Sequence, residues 1–145
     1  MKNSLLVILF SSLVGGCNPS EGKFVMACEE ALKDRLRSPS SYKRIEITRD
    51  DKILTRDEFL VELQATKGGQ ATLPLRLQSF DEGRIKPTLL RAYMEYDAPN
   101  AFGVMIRGLS VCEKLTDDGS EANIIPQLVR IDGKTHTRWL LEQVR

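Results

Sequence analysis

The stretch LLRAYMEYDAPNAFGVMIRGLSVC, residues 89–112, decides the fold. Leu90, Ala92, Met94 and Tyr96 alternate with Leu89, Arg91, Tyr93 and Glu95, the period of a strand with two unlike faces. Asp97-Ala98-Pro99-Asn100 is a turn signal. Phe102 to Cys112 reads as the returning strand. Val104, Ile106 and Cys112 share one parity, and Gly108 marks a bulge or a site of close approach. Together these make a long antiparallel hairpin.

Upstream, residues 23–37 (KFVMACEEALKDRLR) predict an amphipathic helix, with Val25, Cys28, Leu32 and Leu36 on one face. Glu29 and Lys33 are spaced for an i, i+4 pair on the outer side. Ser38-Pro39 ends the helix, because the residue before proline avoids the helical region. Tyr42 to Thr48 predicts a short strand with Ile45 and Ile47 on one side, then a polar turn at Arg49–Lys52. Thr55 with Glu58 forms a capping box for a second helix from Arg56 to about Thr66. Its apolar stripe is Phe59, Leu60 and Leu63, and Gly68-Gly69 stops it. Leu73, Leu75 and Leu77 alternate, which predicts a strand that Pro74 confines to a sheet edge. Residues 79–88 read as a loop.

Downstream, residues 116–123 (TDDGSEAN) are a polar loop, and Leu128 to Ile131 is a last strand ended by Asp132-Gly133. Two continuations are open: a hairpin into Lys134–Leu141, or a short helix capped by Thr135 that carries Trp139, Leu140 and Val144. The helix is the favoured reading. The expected fold class is therefore α+β: an N-terminal amphipathic helix packed on a small antiparallel sheet, with a second short helix and a C-terminal one.

The N-terminus has a different character. Lys2 precedes an apolar run, Leu5 to Phe10, and Leu13-Val14-Gly15-Gly16 leads to Cys17. Polar and glycine residues interrupt the run before it reaches the ~20 residues a spanning helix needs. This pattern resembles the signal peptide and lipobox of a bacterial lipoprotein. The resemblance implies cleavage after Gly16, a diacylglyceryl thioether and an acylated amine on Cys17, and attachment to a membrane by lipid. Val14 stands where that family prefers Leu. Asn18, rather than Asp, after the cysteine resembles the outer-membrane sorting rule, so the expected location is the cell envelope, at the outer membrane and facing the periplasm. The domain plan is signal peptide 1–16, lipidated tether 17–22 and a single α+β domain 23–145.

Removing residues 1–16 leaves 129, enough for one domain with a real core. Loss of Lys2 leaves 20 basic against 20 acidic residues, with no basic block, so nothing here recommends a nucleic-acid partner. With Cys17 assigned to lipid, Cys28 and Cys112 remain as an even pair in an oxidising compartment, and the structural reading is a disulfide. The rival reading is a reactive thiol at Cys28 or Cys112 partnered with His136, the single histidine.

Two motifs, LRSPSSY at 36–42 and YDAPNAFG at 96–103, are similar to those of a broad group of small exported bacterial domains of unassigned function. The resemblance implies a helix-plus-antiparallel-sheet domain and carries no catalytic residue. The search for chemistry is otherwise negative. One histidine cannot build a His-rich metal site, and no zinc-type cysteine spacing, nucleophile elbow or phosphate-cradling glycine loop is present, so no cofactor is expected. Asp117-Asp118-Gly119-Ser120-Glu121 only faintly suggests a calcium loop. The expected function is therefore non-enzymatic binding or assembly through a protein partner in the envelope. Candidate faces are the Leu73–Leu77 edge and the hairpin tip, with Asp97, Asn100, Phe102 and Gly103. The alternative is a thiol-dependent enzyme using Cys28 or Cys112 with His136.

Overall fold

The computed structural model describes residues 22–66 and 69–144. The predicted signal peptide, Cys17, most of its tether and Gly68 lie outside the described residues. Within them the fold is α+β, with helices α1 (Lys23–Lys33), α2 (Arg56–Ala65), α3 (Gly69–Asp81) and α4 (His136–Gln143). The strands are β1 (Lys43–Arg49), β2 (Lys52–Ile53), β3 (Thr88–Pro99), β4 (Met105–Thr116), β5 (Arg130–Ile131) and β6 (Lys134–Thr135). They form one antiparallel sheet in the order β1-β3-β4-β5-β6, with β2 also pairing with β3.

The β3–β4 hairpin is the spine, in continuous register from Thr88↔Thr116 to Pro99↔Met105. Its strands extend further toward the turn than expected. Asp97 to Pro99 stay in the ladder and the reversal falls at 100–104, where Asn100 donates its N–H to the Val104 carbonyl at 2.9 Å. The even residues Leu90, Ala92 and Met94 face α1 and pack with Phe24, Ala27, Cys28, Ala31 and Leu32. On the other face, Leu89 and Leu115 meet Leu54, Phe59 and Leu63 from the α2 region, with Leu73, Leu77 and Phe80 of α3. Strand alternation thus divides the core into two layers around one sheet.

Several expectations need correction. The Leu73–Leu77 segment is not an edge strand but part of α3. A helix puts Leu73, Leu77 and Phe80 on one stripe against Phe59, which the period-2 pattern of three leucines conceals. Pro74 sits inside this helix on an exposed position, where the lost backbone bond is tolerated. The predicted loop 79–88 accordingly begins later, because α3 runs to Asp81. Helix α1 stops at Lys33, short of Arg37. Arg35 turns away to donate to the carbonyls of Ile131 and Lys134, both at 2.9 Å. Glu29 is not on the outer side of α1. It is buried and accepts from Tyr42 and Arg44. Ile45 and Ile47 do not share a side: the β1–β3 register slips between Arg44 and Glu46, so Ile45 is exposed while Ile47 joins the core.

At the C-terminal end both open continuations occur in part. Asp132 (φ 51°) and Gly133 (φ 74°) turn the short β5–β6 hairpin, and then Thr135 caps α4 by accepting from the Arg138 N–H. Leu128 belongs to a 3₁₀ turn, Pro126–Leu128, rather than to the last strand. The capping box on α2 forms as expected, with Glu58 accepting from Thr55 N–H at 3.0 Å and Thr55 accepting from Glu58 N–H at 3.4 Å.

Candidate functional site

Cys28 projects inward from α1 because it lies on the apolar stripe, and Cys112 inward from β4 because its parity faces α1. Their sulfurs are joined in a disulfide, with Cα atoms 5.8 Å apart and both residues fully buried. It ties the first helix to the central hairpin. In this oxidised pair neither sulfur is a thiol, so a nucleophilic role would first require reduction. His136 is the first residue of α4, with its ring 5.9 Å from that of Trp139. Arg35 lies over the other aromatic ring of this group, 5.7 Å from the Trp139 centroid, and Trp139 is half-buried.

The hairpin tip gathers the four predicted face residues, with unequal roles. Asp97 is engaged by Arg107 across the β3–β4 ladder, through Nε at 2.6 Å and Nη2 at 3.2 Å. That guanidinium holds the Asp97 carboxyl below its ordinary range. Asn100 is spent on the turn: its Oδ1 accepts from Phe102 N–H at 2.9 Å and Val104 N–H at 3.1 Å. Gly103 takes φ +79°, a conformation that strongly favours glycine. Of the four, only Phe102 offers a free apolar side chain, 90% exposed.

The residues that the sequence reading missed lie next to the tip, along the outer edge of β4. Val111 identifies which backbone groups face outward: its carbonyl accepts from Asp132 N–H and its own N–H donates to Asp132 Oδ1, both at 2.8 Å. By the alternation of an antiparallel ladder, Leu109, Arg107 and Met105 aim their N–H and C=O groups the same way. β5 pairs only with Cys112 and Glu113, and among the described residues no strand covers Met105–Leu109. The side chains along this edge are apolar and accessible, with Leu109 69%, Ile106 50% and Met105 45% exposed. Charged residues usually guard such an edge. Here the one charge on it, Arg107, is drawn back over the sheet by Asp97 and by Glu95 at 2.9 Å. The signal was available in strand lengths: a strand of about eleven residues followed by one of four leaves a long edge uncovered.

Among the described residues no cluster of three or more His, Cys, Asp or Glu is placed to hold a metal, and no helix is long and apolar enough to cross a membrane. No protein-family model, curated protein or solved structure matches the chain.

Proposed function

We propose that this protein is a lipid-anchored envelope lipoprotein that works without catalysis, by taking an extended segment of a partner protein onto the outer edge of β4. The observation that carries the reading is the run of unpaired, outward backbone groups at Met105, Arg107 and Leu109, flanked by exposed apolar side chains. A strand added there gains main-chain hydrogen bonds, and the pockets between alternate side chains supply selectivity.

The placement of the start of α1 supports the same reading. Gly22, where the tether enters, lies against Glu121 beyond the end of β4, and Phe24 N–H donates to Glu121 Oε2 at 2.9 Å. Past the other end of α1, Arg37 donates to the Ala101 carbonyl of the hairpin tip at 3.0 Å. Helix α1, about 16 Å long at 1.5 Å per residue, runs between these two contacts. The start of α1 and the hairpin tip thus lie toward opposite ends of the helix, so a lipid attached upstream of Gly22 leaves the tip-proximal part of the β4 edge clear of the point where the tether enters.

Two measurements test this. Metabolic labelling with a fatty-acid probe should mark the wild-type protein and leave Cys17→Ser dark; an unlabelled native protein ends the anchor assignment. A photo-crosslinking residue at Leu109 should capture a discrete partner from intact cells, and the same residue at Val61, an exposed position on α2, should not. Equal capture at both positions removes the edge from consideration.

A further inference from the structure

At the other end of β4 the sheet leaves a second gap, and it is lined differently. β5 ends its pairing at Glu113, while β4 continues to Thr116. A cleft opens there between α3, the loop 117–124 and the 3₁₀ turn Pro126–Leu128, as two adjoining cavities of about 390 and 170 Å³ that share Arg76, Lys114, Leu115 and Leu128. We propose that this cleft binds a small oxyanion, a carboxylate or phosphate group, on the Lys114 ammonium and the Leu115 backbone N–H.

The argument starts from hydrogen-bond accounting. Lys114 is half-buried, and no carboxylate or other acceptor among the described residues lies within bonding distance of its ammonium. Its neighbours are satisfied. Arg76 is paired with Asp117, and Arg130 with Glu62 at 2.9 Å and Glu113 at 3.4 Å. Lys114 is therefore the cation of this group left without a counter-charge in contact. Burial, then the charges of Arg130 and Arg76, push its amine below the ordinary value, and Asp117 only partly opposes them. A bound anion would add an attraction that opposes these effects and favours the charged ammonium.

The second donor follows from strand geometry. The alternation that aims Val111 and Glu113 at β5 also aims Leu115 outward, and its N–H has no acceptor among the described residues. A backbone N–H and a lysine ammonium on successive residues, facing one cavity, are the donor set that oxyanions take. Asn123 adds an amide to the lining, while the side chains of Leu115, Ile124 and Leu128 give it an apolar part. Asp117 and Asp118 also face the larger cavity, which limits the ligand to a single compact anionic group and disfavours a polyanion.

The test uses the full-length chain in detergent micelles, titrated separately with inorganic phosphate, sodium acetate and sodium chloride at matched ionic strength. The Leu115 amide resonance is expected to shift saturably with phosphate or acetate and not with chloride, and the anion that acts names the head group. Lys114→Gln should weaken that response about tenfold, the loss of one charge-assisted contact. Lys43→Gln, at the far end of the sheet, should leave it unchanged. A Leu115 amide that responds to neither oxyanion beyond chloride overturns the proposal, as does an undiminished response in Lys114→Gln. Because the amide titration is made on the wild-type chain, it is informative even if the variant folds poorly.

Discussion

The ring of Tyr96 fills the space that a side chain on Gly108 would need. The two are directly opposite in the β3–β4 ladder, and a Cβ built on Gly108 would fall 2.6 Å from Tyr96 Cζ. Glycine is required here for closeness, and the tyrosine covers the backbone that glycine exposes. Tyr96 in turn packs against Tyr42, with ring centroids 5.6 Å apart, so the contact ties the residue preceding β1 to the β3–β4 hairpin. Gly108→Ala is expected to cost about 2 kcal/mol in urea unfolding, as overpacking of a fitted site does. Tyr96→Ala should cancel much of that cost in the double variant, since the clash disappears with the ring. Purely additive effects would show that the ring is not what excludes the side chain.

The disulfide should dominate the stability of the domain. It closes a loop spanning a sequence separation of 84 residues. In the chain-entropy picture a crosslink of that span contributes up to about 4.5 kcal/mol by restricting the unfolded chain. Replacing both cysteines by Ala is expected to lower the unfolding free energy by about 3–5 kcal/mol. Thiol titration of the unreduced, denatured chain should find neither Cys28 nor Cys112 free. A reactive thiol at either position would revive the Cys/His reading with His136.

Glu29 makes stability depend on acid pH. Burial raises its carboxyl, but hydrogen bonds from Arg44 and Tyr42 outweigh that, and the net value lies below the ordinary 4.5. A carboxyl lowered on folding contributes its full stabilisation above the unfolded value. The contribution is lost as pH falls through the folded value. Glu29→Gln should therefore cost about 2 kcal/mol near neutrality, a buried charge-assisted bond removed. The gap between variant and wild type should narrow below about pH 4.5. A gap independent of pH from 7 to 3 would assign the loss to packing instead.

The β4 edge predicts an unusual tolerance. Proline is excluded from paired strand positions, but the Leu109 N–H faces outward and bonds to no described residue. Leu109→Pro is expected to fold with a loss of about 1 kcal/mol or less in thermal unfolding, while abolishing capture of a partner by a photo-crosslinking residue moved to Ile106, which is exposed on the same edge. Leu109→Lys should weaken capture with the backbone intact, by placing a charge on the edge. A Leu109→Pro protein that unfolds would show that the N–H is bonded within the fold.

Much of this architecture was legible in particular residues. The Leu89–Cys112 hairpin, the Thr55–Glu58 capping box and the Asp132-Gly133 turn are local signals, and each formed, although the hairpin reverses at 100–104 rather than at 97–100. The Leu73–Leu77 segment was misread because three leucines at period 2 satisfy a strand, while the helix is decided by Phe59 and Phe80, with ring centroids 6.0 Å apart across α2 and α3. Glu29 was misread because an i, i+4 charge pair can be counted along a chain. Its true partners, Tyr42 and Arg44, arrive from another element.

What the sequence determined by itself was therefore governed by neighbours along the chain: the alternation of the central hairpin, the helix caps, the Asp132-Gly133 turn and the two cysteines able to pair. Strand lengths hinted at an uncovered edge, but tertiary structure alone decided which residues of β4 it comprises and which lysine is left without an anion. Both depend on where β5 stops beside β4, and that is set by how the layers pack, because hydrogen-bond partners far apart in the chain meet only once the core has brought them together.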